Sequence, residues 1–267
     1  MISISMQRRP CEQAEAPTLV MFHGWGYNKT AWPESWLQAL AANFDLWLVD
    51  LPGHGEDSCQ DDTDANLQIL DTWLQALGAQ LPSHYCLLGW SLGGQVAWRL
   101  AQLQSERVIS VVTLASNPSF VQREDWPNAM SGSVLQQFTN AFSGAANKTL
   151  QRFCALQAQG SSQASTINKH LRTQVDCRAS LAMGLDWLAK LDTRAAWQSL
   201  SMPALILLAE EDALVPVAVA DDLKQLARPS QSVETLPGCH AFAWQYGFTD
   251  QDLLLSRIGG FLEPLYV

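Results

Sequence analysis

The chain has few charged residues and no long apolar run, and both shortages exclude whole classes of protein. Charged residues make up 16% of the 267 residues, and the net charge is −10 because 26 acidic residues outnumber 16 basic ones. A surface of that sign is a poor partner for nucleic acid or for an anionic membrane. No apolar run approaches the roughly 18 residues of a membrane-spanning helix, and the N-terminal segment MISISMQRR lacks the apolar core of a signal peptide. We expect a cytoplasmic protein, and we expect it to act as a monomer.

Cysteine is present without any pattern. The six cysteines are Cys11, Cys59, Cys86, Cys154, Cys177 and Cys239. They form no C-x-x-C motif, and no histidine stands at metal-ligand spacing from them, so we expect reduced thiols and neither a metal nor another cofactor. A hydrophobic content of 48% with 11 tryptophans argues against disorder and provides enough apolar side chains for one large core.

Apolar runs of strand length alternate with helical patterns along most of the chain. The runs are Thr18–Phe22, Leu46–Val49, Tyr85–Leu88, Val108–Leu114, Ala204–Leu208 and Ser232–Leu236. This alternation indicates β-α-β units, hence an α/β fold with a mostly parallel sheet and helices on both faces.

The alternation stops between residues 118 and 186, where Ser133–Phe142 and Leu150–Gln159 have helical spacing. We therefore predict a core formed by residues 1–117 and 187–267. A helical lid, residues 118–186, is expected over the carboxyl edge of the sheet, where open α/β sheets place their sites.

The segment GWSLG at residues 89–93 lies between a predicted strand and a helical pattern. In that context G-x-S-x-G is typical of a nucleophile elbow, a sharp turn that holds its serine at the tip. Small residues on either side are needed because the strand and helix backbones nearly touch. The motif predicts Ser91 as a nucleophile, and the alternative is a glycine-rich turn with a helix-capping serine.

A nucleophilic serine needs a base to take its proton, and in this arrangement the chain order is serine, acid, histidine. His240 is the only histidine that follows the last predicted strand, so it is the candidate base. The other four histidines lie before Ser91 or in the lid, namely His23, His54, His84 and His170.

Three carboxylates compete for the role of the acid that orients the base. Glu210, Glu211 and Asp212 all follow the strand Ala204–Leu208. We favour Asp212 because it is short and precedes a helix expected to open at Val215–Pro216. The two glutamates are expected to be surface charges at the end of the strand.

A serine that attacks a carbonyl group also needs two backbone N–H donors for the oxyanion of the tetrahedral intermediate. One is expected from Leu92, the residue after the nucleophile. The other is expected from the loop HGWG at residues 23–26, whose glycines allow the backbone to approach Ser91 and whose Trp25 is placed to supply the donor. We expect the turn LPGHG at residues 51–55 to have a structural role, with Asp50 as the residue that stabilises it by hydrogen bonding.

These motifs resemble those of the α/β-hydrolase superfamily. They are FHGWG at 22–26, DLPGHG at 50–55 and GWSLGG at 89–94. Four further segments are similar to the esterases of biotin synthesis that act on the methyl ester of pimeloyl-acyl-carrier protein. These are ASNPSF at 115–120, DWP at 125–127, QRFCALQ at 151–157 and DALVP at 212–216.

The resemblance implies a triad of Ser91, Asp212 and His240, with Trp25 and Leu92 as oxyanion donors. It also implies that Trp90 lines the ester pocket and that Phe153 contacts the acyl chain from the lid, although core packing is the alternative for both. The substrate-binding residues implied in this way are Trp25, Trp90, Ser91, Leu92, Phe153 and His240.

The resemblance further implies that an acyl-carrier protein docks on the lid, where that family has four arginines. Here Arg152 matches one of them, Lys148 and Lys169 replace two, and Ser165 stands at the fourth position. Lysine keeps the charge but loses the bidentate fork of arginine. Arg172 lies nearby and is the fourth residue that we assign to carrier docking.

The charge distribution fits an acidic partner for the lid. Between residues 126 and 181 the basic residues are Lys148, Arg152, Lys169, Arg172 and Arg178, and the acidic residue is Asp176. This segment therefore has a net charge of +4 in a chain of net charge −10. A basic lid on an acidic body favours an acidic carrier protein, whereas the alternative is an ordinary solvated helix face.

The leading hypothesis is a carboxylic ester hydrolase that frees the pimeloyl carboxylate and methanol through an acyl-enzyme. The alternatives are a general short-chain carboxylesterase, a lyase of the same fold that uses the triad as a base, and a binding protein on an inactive hydrolase fold. A lyase would not release alcohol from simple esters, and a receptor would not need an intact triad. Haloalkane dehalogenases are excluded because they need aspartate at the position of Ser91.

Overall fold

A single sheet of seven strands organises the chain in the computed structural model, which describes residues 3–13, 15–55, 67–175, 181–247 and 253–265. The strands are β1 Met6–Arg9, β2 Thr18–Phe22, β3 Asp45–Val49, β4 Tyr85–Trp90, β5 Val108–Leu114, β6 Ala204–Ala209 and β7 Gln231–Leu236. Their order in the sheet is β1-β3-β2-β4-β5-β6-β7. All neighbouring pairs are parallel except β1 and β3.

The six strands predicted from apolar runs are all confirmed. Every residue of β2, β4 and β6 is buried, as expected for central strands covered on both faces. The sequence MQRR of β1 was not predicted as a strand, because this short edge strand is only half-buried and has no apolar run.

Helices connect the strands and form the insertion between β5 and β6. They are α1 Glu34–Ala41, α2 Leu67–Gly78, α3 Leu92–Leu103, α4 Gly132–Gly144, α5 Ala146–Ala158, α6 Ala164–Gln174, α7 Ala182–Lys190, α8 Arg194–Ser199, α9 Val219–Leu226, α10 Phe242–Gly247 and α11 Leu253–Leu262, followed by a 3-10 turn at Glu263–Leu265. None of the helices in the described ranges has both the length and the apolar character needed to cross a bilayer.

Five helices, α4 to α8, lie between β5 and β6; α4 to α7 form the insertion, whose described residues contain no strand of the sheet. The two helical patterns predicted in the lid fall in α4 and α5. The predicted lid boundary at residue 186 falls inside α7, which continues to Lys190, so the division into core and lid stays a prediction. Asp176, Arg178, Cys59 and Cys177 lie outside the described residues.

Asp50 follows β3 and forms a buried ionic cluster. Its side chain is fully buried and accepts hydrogen bonds from Lys29 Nζ, Lys29 N and Ser5 Oγ, each at 2.7 Å. Burial alone would raise the pKa of Asp50, but the hydrogen bonds from Lys29 and Ser5 outweigh it, so the pKa is lowered from its ordinary value. The cluster ties the loop after β2 and the segment before β1 to the end of β3.

We expect Asp50→Asn to lower the free energy of unfolding at neutral pH by about 3 kcal/mol, because Lys29 would lose its buried counter-charge. Since folding lowers the pKa of Asp50, its stabilising effect is present above the unfolded-state pKa and is lost as the pH falls through the folded-state value. Urea titrations of the wild type and Asp50→Asn at neutral and acidic pH should therefore show a difference in the free energy of unfolding, and this difference should become smaller at acidic pH.

Asp71→Asn is the matched control for this prediction. Asp71 pairs with Arg99 at 2.6 Å, and both side chains are about one quarter exposed. A pair of this kind contributes about 1 kcal/mol or less. A loss from Asp50→Asn no larger than that of the control would contradict the structural importance of the buried cluster.

Candidate active site

Ser91 stands at a sharp turn between β4 and α3. Its φ of 55° and ψ of −120° lie in a region that serine rarely adopts. A Cβ on Gly89 would collide with the backbone of Gly93 and Gly94, and a Cβ on Gly93 would collide with the carbonyl groups at the end of β2. The turn therefore has the tight strand-to-helix geometry that the sequence predicts.

The three side chains predicted to form a triad meet at this turn. His240 Nε2 lies 2.9 Å from Ser91 Oγ, and His240 Nδ1 lies 2.8 Å from Asp212 Oδ2. The side chains of His240 and Asp212 are fully buried, whereas Ser91 retains 8% exposure. With the proton on Nδ1 facing the carboxylate, Nε2 presents its lone pair to the serine hydroxyl and can accept its proton.

Asp212 is held in place by the backbone that follows it. Its Oδ1 accepts hydrogen bonds from the N–H of Leu214 at 2.7 Å and of Val215 at 2.9 Å. The expectation that a helix opens at Val215–Pro216 was wrong, because α9 begins at Val219. The N–H groups after Asp212 bond its own carboxylate in a turn, and this local bonding orients the acid toward His240.

The two competing glutamates are exposed, as the sequence predicts, and neither is hydrogen-bonded to His240 in the described structure. Glu211 has a role that the sequence did not reveal. Its Oε2 accepts a hydrogen bond from the N–H of Gly238 at 2.7 Å, and its own N–H donates to the Gly238 carbonyl at 2.9 Å. Glu211 thus ties the turn that carries the acid to the loop that carries the base.

Trp90 lies behind His240. Its indole Nε1 donates to the His240 carbonyl at 3.1 Å, and its ring centroid lies 5.8 Å from the His240 ring and 4.4 Å from Trp244. The side chain is 1% exposed and does not line the apolar cavity described below. These contacts favour a role in holding the His240 loop, and the implied role of Trp90 in lining the ester pocket stays a prediction.

The predicted oxyanion donors lie on the two backbones that meet beside Ser91. Leu92 is the first residue of α3, and Trp25 lies in the loop after β2. A Cβ added to Gly184 of α7 would lie 2.6 Å from Trp25 Cδ1 and 3.2 Å from Leu92 Cδ2, so the two side chains meet at this glycine. Neither backbone N–H has a hydrogen-bond acceptor in the part of the chain that the structure describes. Their role as donors stays a prediction.

His23 fixes the shape of the loop after β2 that carries Trp25. Its position in the sequence excluded His23 as the base but did not predict this structural role. Its Nε2 accepts a hydrogen bond from the N–H of Leu51 at 3.0 Å, which assigns the ring proton to Nδ1. Nδ1 then donates to the Gly24 carbonyl at 2.8 Å. The loop that carries Trp25 is thereby tied to the end of β3.

An apolar cavity of about 50 Å³ lies between the insertion and the core. Trp25 and Leu214 from the two catalytic loops line it, together with Phe138 and Phe153 from the lid helices. The Trp25 ring packs edge-on against Phe153 at 5.0 Å and against Phe138 at 5.5 Å. Phe153 therefore lies where the resemblance implies contact with an acyl chain, although that contact stays a prediction.

The four side chains assigned to carrier docking are exposed on two packed helices of the insertion. Lys148 and Arg152 lie one turn apart on α5, and Lys169 and Arg172 lie on α6. The sequence contains no Asp or Glu between residues 127 and 175. The structure thus places an exposed basic surface on the lid. Within the described ranges, no three His, Cys, Asp or Glu side chains are arranged to hold a metal ion.

Comparison with known proteins shows the family of this chain. The α/β-hydrolase family model matches residues 19–247. A biotin biosynthesis bifunctional protein BioHC of Cellvibrio japonicus is 38% identical over 256 residues, which cover 93% of this chain and 48% of that protein. A pimeloyl-[acyl-carrier protein] methyl ester esterase of Aeromonas salmonicida is 38% identical over 246 residues, which cover 90% of this chain and 93% of that protein.

Among solved structures, the enol-lactonase from Burkholderia xenovorans LB400 superposes with a TM-score of 0.80 at 16% identity, covering 97% of this chain and 96% of that one. Likeness at that identity concerns the fold alone. The chain spans about half the length of the bifunctional relative and nearly the full length of the Aeromonas esterase. The chain belongs to the α/β-hydrolase family and, within it, to the family of the pimeloyl-[acyl-carrier protein] methyl ester esterases.

Proposed function

We propose that this chain is a cytoplasmic, monomeric carboxylic ester hydrolase that cleaves the methyl ester of pimeloyl-acyl-carrier protein in biotin synthesis. The observation that carries the proposal is the hydrogen-bonded series Ser91, His240 and Asp212 at a strained turn. Relatives that match this chain over most of its length are named for that reaction. No metal or cofactor is needed for ester hydrolysis by a serine.

The reaction proceeds in two halves. Ser91 Oγ attacks the ester carbonyl carbon while His240 Nε2 takes the hydroxyl proton, and the oxyanion is stabilised by the N–H groups of Leu92 and Trp25. Collapse of this intermediate expels the methoxy group, which leaves as methanol with the proton from His240. Water then attacks the acyl-enzyme with His240 as base, and the carboxylate is released as Ser91 regains its proton. Asp212 keeps the Nδ1 proton in place throughout.

The apolar cavity supports an acyl chain rather than a polar substrate at the site. Its lining residues are all hydrophobic, and Trp25 links it to the loop that carries the proposed oxyanion donor. Apolar walls with a few placed polar groups are typical of small-ligand sites. We therefore assign the methylene chain of the pimeloyl group to the wall formed by Trp25 and Phe153.

The basic surface on α5 and α6 supports docking of the carrier protein. In the carrier-bound substrate the methyl ester lies at the end of the acyl chain far from the carrier. Charged docking fixes the carrier at one distance from Ser91. The combined length of the carrier's phosphopantetheine arm and the acyl chain can then place the methyl ester, rather than the thioester, at the nucleophile. Electrostatic complementarity of this kind mainly speeds association and selects the partner.

A genetic complementation experiment tests the proposed function. The chain should restore biotin-free growth to a bacterial strain that lacks its pimeloyl ester esterase, and the Ser91→Ala variant should not. Failure of the wild-type chain, expressed and folded in that strain, would contradict the assignment to biotin synthesis. Release of alcohol from simple methyl esters distinguishes a hydrolase from a lyase of the same fold.

Carrier docking predicts a selective effect of charge reversal. Changing Lys148, Arg152 and Lys169 to Glu should lower kcat/KM on the carrier-bound ester by about tenfold or more, because attraction becomes repulsion. The rate on a short free methyl ester should stay within about twofold, since these side chains lie on the exposed faces of α5 and α6. Lys224→Glu on α9, which is exposed outside the lid, is the control and should affect neither substrate.

Salt provides a second test of the same docking. The rate on the carrier-bound ester should fall as salt shortens the screening length from about 10 Å toward 3 Å, while the rate on the free ester should not. Equal losses on both substrates after charge reversal, or no loss on either, would remove the carrier from the mechanism. A general short-chain carboxylesterase would then be the remaining function.

A further inference from the structure

We propose that Gln157, on the lid helix α5, is a positioning residue that aligns the His240 loop and the Trp25 loop with Ser91. The inference rests on the proposed function, because it assigns Gln157 to the same catalytic site. It makes Gln157, at the C-terminal end of α5, a support for the two catalytic loops as well as a residue of the lid.

Gln157 contacts both catalytic loops. The residue is fully buried, and its backbone carbonyl accepts a hydrogen bond from the N–H of Ala241 at 3.1 Å. Its side-chain Nε2 donates to Tyr27 Oη at 2.8 Å. Ala241 directly follows His240, and Tyr27 lies two residues after Trp25, so one lid residue joins the base to the predicted oxyanion donor.

The peptide group between His240 and Ala241 is hydrogen-bonded on both polar atoms. Its carbonyl accepts from Trp90 Nε1 at 3.1 Å, and its N–H donates to the Gln157 carbonyl. One of these partners comes from the strand that carries the nucleophile, and the other comes from the lid. The position of the His240 ring relative to Ser91 therefore depends on where α5 lies.

Tyr27 links Gln157 to the loop of the predicted oxyanion donor. Its N–H donates to the Gly24 carbonyl at 3.3 Å, and its ring centroid lies 5.1 Å from that of Trp90. Burial raises the pKa of Tyr27 well above its ordinary value, so the hydroxyl stays protonated. It can therefore accept from Gln157 and donate to Cys154 Sγ, which lies 3.8 Å away on the same helix.

These contacts predict that loss of the side-chain bond between Gln157 and Tyr27 misaligns the base without removing any reacting group. A displacement of about 1 Å at a reacting group can lower the rate about 100-fold. Gln157→Met keeps the length of the side chain but removes the donor, and Tyr27→Phe removes the acceptor. Each should lower kcat on a free methyl ester by about 10- to 100-fold, with KM changed less than about threefold.

Thr149→Val is the matched control on the same helix. Thr149 is buried, and its Oγ1 donates to the Ala141 carbonyl at 3.0 Å within the lid, a bond that involves neither catalytic loop. It should lower the melting temperature while leaving kcat and the rate of Ser91 labelling by a phosphonate near wild type. The double variant Gln157→Met with Tyr27→Phe should be no slower than Tyr27→Phe alone, because Tyr27→Phe already removes the bond that Gln157→Met removes.

Hydrogen exchange at the Ala241 amide completes the test and does not require any ester to be a substrate. Exchange at Ala241 should be faster in Gln157→Met and Tyr27→Phe than in wild type or Thr149→Val. Unchanged labelling and exchange in Gln157→Met, or equal losses in Thr149→Val, would overturn the positioning role. A wild-type chain that hydrolyses no ester would instead contradict the proposed function, and exchange at Ala241 would still decide the role of Gln157.

Discussion

Ser91→Ala is expected to lower ester turnover by about three to six orders of magnitude. The hydroxyl is the group that bonds to the substrate carbonyl, and His240 Nε2 at 2.9 Å is placed to take its proton. Without the hydroxyl, only the oxyanion donors and substrate binding can accelerate attack by water. Ser116→Ala, at a second buried serine outside the triad, is the control and should retain most of the activity.

His240→Ala should cause nearly the same loss, and the double variant should be little worse than either single one. The two side chains act as one unit, so removal of the second costs little once the first is gone. The measurement is the steady-state rate on a short methyl ester, with the fold of each variant checked by circular dichroism. A Ser91→Ala variant with substantial turnover would contradict the nucleophilic role.

Asp212→Asn is expected to lower kcat by about 10³- to 10⁴-fold, less than the loss of the serine. The amide oxygen can still accept the N–H groups of Leu214 and Val215, so the turn is preserved. An amide N–H aimed at His240 Nδ1, however, favours the tautomer with its proton on Nε2. That tautomer cannot accept the proton of Ser91, which is why the activity falls without a change of fold.

Glu211→Gln is the control for the acid. Its side-chain oxygen can still accept the N–H of Gly238, so the loop contact survives and the rate should change by less than about threefold. Steady-state rates on the same methyl ester compare the two variants. A silent Asp212→Asn with an inactive Glu211→Gln would transfer the acid role to the glutamate.

Most strands of the sheet could be predicted because each has an apolar run in its own sequence. Parallel strands covered on both faces need continuous apolar runs, and β2 and β5 match the predicted runs residue for residue. The edge strand β1 has no such run. β1 becomes a strand because its backbone pairs with β3, and no local pattern in the sequence MQRR indicates that pairing.

The triad residues could be predicted because local sequence motifs and chain order indicate them. The elbow around Ser91 is a local motif, and the positions of Asp212 and His240 follow from chain order after the strands. The contacts that support these residues are not local. Trp90 and His240 lie 150 positions apart, and the bond between Gln157 and Ala241 depends on how the lid packs on the core. The support that Trp90 gives to the His240 loop therefore could not be predicted from the sequence.

The most direct test of the central claim is a mass measurement on the carrier-bound ester. Purified protein is incubated with the methyl ester of pimeloyl-acyl-carrier protein, and the intact carrier is weighed by mass spectrometry alongside a reaction with Ser91→Ala. We predict that the wild type converts the carrier to a species lighter by one methylene, with the thioester intact and methanol released, whereas Ser91→Ala leaves it unchanged. A carrier that keeps its full mass with wild-type protein that is active on short esters, or one converted equally by Ser91→Ala, would contradict the account.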